Sequence, residues 1–249
     1  MLELTADTRV DLARSSARHG AGLFETIRIR DGRALRLEAH LARLAHGAAF
    51  LGMDAPPEPY VLDAFLAGRS NCACLASGVL RLLAVDQLLM VSLAPWEPNR
   101  PGRIDIGIGH RVVRRSDNPL NRFKTMAYLD NLLLTREAED RAFFEVIALN
   151  EAGRLTDGGR TSLFIILGNR LLTPALADGP LPGIARGMIL ESGLAEEVSL
   201  EPEDLNQAQG IFLTNALHGV VTVNGVEGGC PRKAQHPLIQ TCSDLLNAD

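Results

Sequence analysis

An Asp-Gly pair at positions 31 and 32 separates two extended runs, LFETIRIR and RALRL, between Leu23 and Leu37. Glycine takes the positive φ of a tight two-residue turn without steric cost, so this pair predicts an antiparallel hairpin. The chain then passes directly into EAHLARLAHGAAFLGM, where Leu41, Leu44, Ala48 and Leu51 recur at helical spacing and predict one apolar face. A hairpin feeding an amphipathic helix commits the first part of the chain to a mixed α and β architecture.

The same reading extends along the chain. A second helix is predicted over Tyr60 to Ala67. GVLRLLAVDQLLMVSLAP reads as two strands joined near Asp86-Gln87, and RIDIGIGHRVV as another strand. RRSDNPLNRF is polar and carries Pro119, which makes it the best linker. Beyond it a helix is predicted from Thr125 to Asp140, with Met126, Leu129, Leu132 and Leu133 on its apolar face. Strands FFEVIALN and SLFIILGN flank the turn EAGRLTDGGRT. A helix then starts near Ile184, a strand covers GIFLTNAL, and a last helix begins near Pro237. The expected organisation is a small α/β domain over 1–114, a linker over 115–119 and a larger α/β domain over 120–249. The fold class is α+β with α/β character.

With 249 residues and 46% hydrophobic content, the chain can bury a sizeable core. Net charge is −5, no stretch concentrates Lys or Arg into a long basic run, and the local cluster HRVVRR from His110 to Arg115 is short. Nucleic acid is therefore not expected as a partner. No window approaches 18 uninterrupted apolar residues and the N-terminus lacks a signal pattern, so no membrane partner and a cytoplasmic location are expected. Cys72, Cys74, Cys230 and Cys242 read as reduced thiols. His40 and His46 stand six apart on a helix, so they do not share a face as metal ligands would. HGAG lacks the third glycine and following helix of a dinucleotide fingerprint.

Only two of the 25 basic residues are lysines, Lys124 and Lys233. Arginine stays protonated, whereas lysine gives up its proton when desolvated or placed near positive charge. A chain that otherwise uses arginine has a chemical reason to keep lysine where a free amine must attack a carbonyl. The plain alternative is a surface lysine at a loop-to-helix junction.

Several motifs in series carry a resemblance. HGAGLFETIRIRDGRALRLEAHLARL, KTMAYLDNLLLTREA, FFEVIALNEAGRLTDGGRTSLFII, GPLPGIARGMILE and TNAL occur in this order between Gly20 and Val223. The chain resembles the class IV aminotransferases, pyridoxal-phosphate enzymes that include branched-chain and D-amino-acid aminotransferases and aminodeoxychorismate lyases. The resemblance implies a two-domain fold with pyridoxal 5'-phosphate in the cleft between the domains, a small-molecule substrate and a homodimer. It places Lys124 as the lysine that bonds to the cofactor aldehyde and then serves as base and acid.

Arg43 in HLARL matches the phosphate-binding arginine, for which a guanidinium fork is suited. Ile184 and Ala185 present backbone N–H groups at a helix start, where phosphate is favoured. Asn215 and Ala216 match the second phosphate turn. Asp157 takes the place of the family's glutamate beside the pyridine nitrogen, one methylene shorter. Tyr128 is expected to reach the cofactor phenolate, or else to be a core tyrosine. Thr26 is either a proton-shuttling hydroxyl or a threonine chosen for strand propensity. Arg160 either supports the site or covers the surface.

NPLNRFKTMAYLDNLL, TNAL and LFETIR are closer to the lyase form than to the branched-chain form, so the implied reaction is lysis of 4-amino-4-deoxychorismate to 4-aminobenzoate and pyruvate. An amino-acid aminotransferase is the alternative. Against the lyase, only Asp86-Gln87 joins two strands where lyases carry an arginine- and glycine-rich loop. Arg81, Arg114, Arg115 or a partner subunit would then have to contact substrate carboxylates. The chain start is also short, so an N-terminal strand should be reduced or missing.

Overall fold

The computed structural model describes residues 1–7, 18–68, 76–97, 104–229 and 236–248. Cys72, Cys74, Cys230 and Lys233 lie outside the described residues. The chain divides into two compact units. One comprises Met1–Pro98 with Phe123–Tyr128, and the other Asn99–Arg122 with Leu129–Ala248.

In the first unit, strands β1 (Glu3–Thr5), β2 (Gly22–Arg30), β3 (Arg33–Ala34), β4 (Ser77–Val85) and β5 (Leu88–Pro95) form one sheet in the order β1-β5-β4-β2-β3. Asp31 and Gly32 have φ values of 50° and 74°, and Arg30 pairs with Arg33, as the turn chemistry requires. Asp86, at φ 55°, opens the second two-residue turn, closed by the Val85–Leu88 pair. Strand β1, three residues long, pairs in parallel with β5. Helix α1 (Leu37–Leu51) lays Leu41, Leu44 and Ala48 on Leu23, Ile27 and Ile29 of β2, and α2 (Pro59–Ala67) adds Leu62 and Leu66. Each of these leucines and isoleucines contributes about 1.5–3 kcal/mol through removal from water.

The second unit has two sheets. One is β11-β10-β9-β12-β13, built from β9 (Ser162–Leu167), β10 (Arg170–Pro174), β11 (Ala195–Val198), β12 (Gly210–Asn215) and β13 (Gly219–Thr222). The other is β14-β6-β7-β8, built from β6 (Asp105–Arg114), β7 (Glu145–Asn150), β8 (Leu155–Gly158) and β14 (Gly225–Val226). Helices α3 (Leu129–Asp140), α4 (Ile184–Glu191), α5 (Pro202–Gln207) and α6 (Pro237–Asn247) complete it. Phe164 and Phe212 stack at 4.8 Å within a cluster shared with α4 and α6. Cys242 is buried there, and burial pushes its thiol up to about 11.

Three expectations need correction. β6 pairs in parallel with β7, so residues 105–114, placed with the first half by the sequence reading, group with the second unit, while Phe123–Tyr128 group with the first. The helix expected from Thr125 begins at Leu129, because residues 124–126 are extended and hydrogen-bonded to β2. Its inward face is also different: Leu129 and Leu132 are 62% and 52% exposed, while Asn131, Leu134, Glu137 and Ala138 are buried. Asn131 and Glu137 go inside because they meet polar demand. Glu137 accepts the backbone N–H groups of His110 and Arg111 at 2.9 Å where β6 bulges, and pairs with Arg141. Hydrophobic spacing alone cannot register that demand.

Candidate active site

Alternation along β2 sends Leu23, Glu25, Ile27 and Ile29 into the core, with Phe24, Thr26, Arg28 and Arg30 on the opposite face. The Lys124 segment docks at the start of this strand. The Phe24 N–H donates to the Lys124 carbonyl at 2.9 Å, and the Met126 N–H donates to the Gly22 carbonyl at 2.8 Å. Glycine is required at 22, since a Cβ there would stand 2.5 Å from Met126 Sδ and 2.7 Å from the Ala84 carbonyl oxygen.

Docked in this way, Lys124 Nζ lies 4.2 Å from the Phe24 ring centroid and 4.6 Å from that of Tyr128, and donates to the Tyr128 hydroxyl at 3.3 Å. The two rings meet edge to face at 5.0 Å. Lys124 and Tyr128 are thus brought together by non-helical backbone. Phe24 was missed by the sequence reading; its signal was its place immediately before Glu25 in the FET motif.

Thr26 follows Phe24 on the same face and pairs in register with Arg81 of β4, which pairs with Ser92 of β5. A cavity of roughly 360 Å³ is lined here by Phe24, Arg81, Leu83, Met90 and Ser92. Glu25 and Leu82 complete the lining, and the exposed surface of the cavity is mostly apolar.

Arg43 is engaged within its own unit. Glu25, buried on the core face of β2, accepts Arg43 Nε at 2.8 Å, Arg43 Nη2 at 2.6 Å and His40 Nδ1 at 2.7 Å. Burial raises the Glu25 carboxyl, but the hydrogen bonds from His40 and Arg43 and their charges outweigh it and hold the group below the usual carboxylate range. Burial lowers His40, opposed by Glu25 and assisted by the charges of Arg43 and Arg36, and the net direction is downward. His40 and Glu25 were not anticipated; their signal was His40 and Arg43 three apart on one helical face. His46 instead meets the Phe123 ring edge-on.

In the second unit Asp157 ends β8 and is buried. Its Oδ1 lies 3.0 Å from Arg114 Nη2, and its Oδ2 accepts the Leu181 N–H at 2.9 Å. Arg114, considered above for substrate carboxylates, is buried by this pairing, while Arg115 pairs with Asp117 on the surface. Arg111 pairs with Asp140, so the basic cluster is locally compensated.

Glu145, fully buried on β7, accepts the N–H groups of Gly159 and Arg160 and the Thr161 hydroxyl. Burial raises its carboxyl above the usual range despite the Arg160 charge and these bonds. It pins the turn that carries Asp157. The Arg160 guanidinium is half exposed and donates to the Phe144 carbonyl at 2.9 Å, and its own carbonyl accepts Asn215 Nδ2 at 3.3 Å.

Ile184 and Ala185 open α4 after Gly183, whose position supplies no capping side chain, so the leading N–H groups remain available to an anion. Asn215 and Ala216 lie in the turn after β12, where Asn215 Oδ1 accepts the Leu217 and His218 N–H groups at 3.1 and 2.8 Å. Thr214, one residue earlier, pairs in register with Ser162, and its buried hydroxyl has no hydrogen-bond partner among the described residues. A Cβ on Gly183 would meet Ser162 Oγ at 2.7 Å. An uncapped helix start, an orphan hydroxyl and a glycine-lined approach suit a phosphate. Asp157 also suits a cationic ring nitrogen, since a carboxylate has about four acceptor sites and two neighbours already use some of them. The residues present fit the implied cofactor.

Residues 22–226 match the family description Amino-transferase class IV. The chain is 27% identical over 263 residues to a bifunctional aminodeoxychorismate lyase and D-amino acid transaminase of Mycobacterium tuberculosis, covering 94% of this chain and 90% of that one. A Legionella pneumophila protein provisionally assigned as a 4-amino-4-deoxychorismate lyase shares the fold, with TM-score 0.87, 24% identity, and 99% and 98% of the two chains covered. The branched-chain amino acid aminotransferase of Escherichia coli aligns with TM-score 0.84 at 21% identity, over 95% of this chain and 88% of that one.

Proposed function

The chain belongs to the class IV aminotransferases, pyridoxal-phosphate enzymes, and from that premise we propose that it converts 4-amino-4-deoxychorismate to 4-aminobenzoate and pyruvate. When bound, the cofactor supplies an aldehyde that condenses with amines and a ring that withdraws electrons. Lys124 would hold it through Nζ and move the proton at the substrate carbon, with the Tyr128 hydroxyl beside that amine. Asp157 would face the ring nitrogen. The N–H groups of Ile184, Ala185, Asn215 and Ala216 would take the phosphate, and Arg43, aimed by Glu25, would add positive charge.

The observation that carries the choice of substrate is the row Thr26, Arg81 and Ser92 beside Phe24 and Met90. One guanidinium and two hydroxyls on a mostly apolar surface suit a ring that bears carboxylates. The guanidinium would equally meet the α-carboxylate of an amino acid, so the two hydroxyls carry the preference for a polar ring over an aliphatic side chain. Thr26 on that face is positioned to relay a proton.

The second reading is an amino-acid aminotransferase. It is favoured by the two-residue turn at Asp86-Gln87 and by the dual activity named for the Mycobacterium relative. We further propose a cytoplasmic homodimer, with the exposed Leu129 and Leu132 as the place to look for a subunit contact by sedimentation.

The test is release of 4-aminobenzoate by purified, cofactor-loaded protein, with Lys124→Ala as control. Release that depends on the lysine supports the lyase. No release, with conversion of the cofactor to its aminated form by an amino-acid donor, overturns it in favour of the aminotransferase.

A further inference from the structure

Arg114 is a guanidinium inside a protein, and such a charge is costly to bury unless it is paired. It stands at the end of β6, in register with Asn150 and beyond an irregularity between Ile108 and Val113. That irregularity re-aims the strand, and Glu137 holds it by accepting the His110 and Arg111 N–H groups. Arg114 Nη2 then lies 3.0 Å from Asp157 Oδ1, while its Nη1 donates to Asn131 Oδ1 at 3.4 Å. Asn131 in turn donates to the Gly159 carbonyl at 3.0 Å. Arg114 therefore contacts Asp157 directly and reaches the following turn through Asn131.

The pairing is not a saturated fork: among the described residues, Nε and Nη2 of Arg114 and Oδ1 of Asp157 make no hydrogen bond of good geometry. The other charged groups nearby are Asp178, Glu145 and Arg160; Asp178 meets Arg154 and Asn150 through Oδ1 and leaves Oδ2 without a hydrogen bond among the described residues. Glu145 from β7 accepts the Gly159 and Arg160 N–H groups, and the Arg160 guanidinium is half exposed against Phe144. Among the described residues Arg114 is the cation in contact with Asp157.

We infer that Arg114 is a positioning residue that sets the charge Asp157 presents to the cofactor's ring nitrogen, so that the ring nitrogen holds its proton less tightly than a lone carboxylate would make it. This rests on the placement of Asp157 at that nitrogen. A fixed positive charge within several ångströms of a protonation site lowers its proton affinity, and in a buried setting the effect is on the order of one pH unit or more. The shorter aspartate is consistent with this division of labour: it is anchored from behind by Arg114 and the Leu181 N–H.

The experiment follows protonation directly. Protein reconstituted with pyridoxal phosphate carrying nitrogen-15 in the ring is titrated by NMR, in wild type, Arg114→Met, Arg114→Gln, Arg114→Lys and Asp157→Asn. Arg114→Gln is the second neutral variant should Met fail to fold, since its amide can keep the Asn131 contact. The expected result is that both neutral variants raise the pH at which the ring nitrogen deprotonates by about one unit or more, that Arg114→Lys restores the wild-type value, and that Asp157→Asn lowers it. A wild-type titration in the neutral Arg114 variants, with Asp157→Asn still shifted, overturns the role of Arg114 and leaves Asp157 in place. No shift in any variant overturns the placement of Asp157 itself. In cofactor-free protein, melting of Arg114→Met, Asp157→Asn and the double variant reports the ion pair alone; additive losses would overturn the coupling on which the inference depends.

Discussion

Two buried carboxylates that meet an arginine, Glu25 in the first unit and Asp157 in the second, are held differently. Glu25 receives Nε and Nη2 of Arg43 as a fork and His40 besides. Asp157 receives a single Nη2 contact from Arg114 and one backbone N–H, and leaves polar atoms of both side chains without hydrogen bonds among the described residues. A saturated network specifies one arrangement and resists change, whereas an unsaturated one retains capacity for a further partner. The first pair reads as scaffold for the helix that carries Arg43. The second reads as a site.

The largest effect should come from the amine that neither pair supplies. Lys124→Arg keeps a cation over the Phe24 ring but cannot exchange a proton and bond to an aldehyde, so turnover should fall by more than about 10⁴-fold while the melting temperature barely moves. A turnover assay alongside a thermal melt checks this, and an active variant would remove the lysine from the chemistry. Glu25→Ala should cost roughly 1–3 kcal/mol in denaturant unfolding, because it removes the acceptor of the buried His40 and of the part-buried Arg43 guanidinium. A stable Glu25→Ala protein that has lost only activity would invert the contrast between the pairs.

Asp157→Asn should slow turnover by about 10²-fold or more, with a smaller stability loss than Glu25→Ala. Equal losses of stability would erase the distinction. The smallest effect concerns pH. Glu25 and His40 both titrate below the ordinary range of their side chains when folded, so each contributes stability at higher pH that is lost as pH falls through its folded value. Stability should begin to fall below about pH 6.5, by at most about 1.4 kcal/mol per pH unit for one proton. His40→Gln, which keeps a donor for Glu25, should remove that upper limb in urea titrations and leave the lower one.

Much of the frame was legible in the sequence because its signals are local. Asp31-Gly32 and the spacing of Leu41, Leu44 and Ala48 each encode their element within a few residues, and the structure places them accordingly. The partners of the site were not legible for the opposite reason. Nothing near Arg114 announces Asp157, and nothing near Asn131 announces Gly159; these contacts join residues 43 and 28 positions apart through the fold. The inward face of α3 was misread because Asn131 and Glu137 are buried for their hydrogen bonds, which apolar periodicity cannot register. Lys124 was found by composition and motif, while its extended docking on β2 depended on a strand about a hundred residues earlier.

That docking has a kinetic consequence. The Leu23–Thr125 bridge closes a loop of about a hundred residues, and such closure costs chain entropy that only the completed contact offsets. Gly22 and the hairpin are available early during synthesis, but the reactive amine takes its place only after the intervening chain has been made and segment 124–126 has returned to zip against β2. Maturation of the amine is therefore coupled to a late, non-local folding event, and a nascent chain that stops short of Tyr128 carries the strand without its lysine seated.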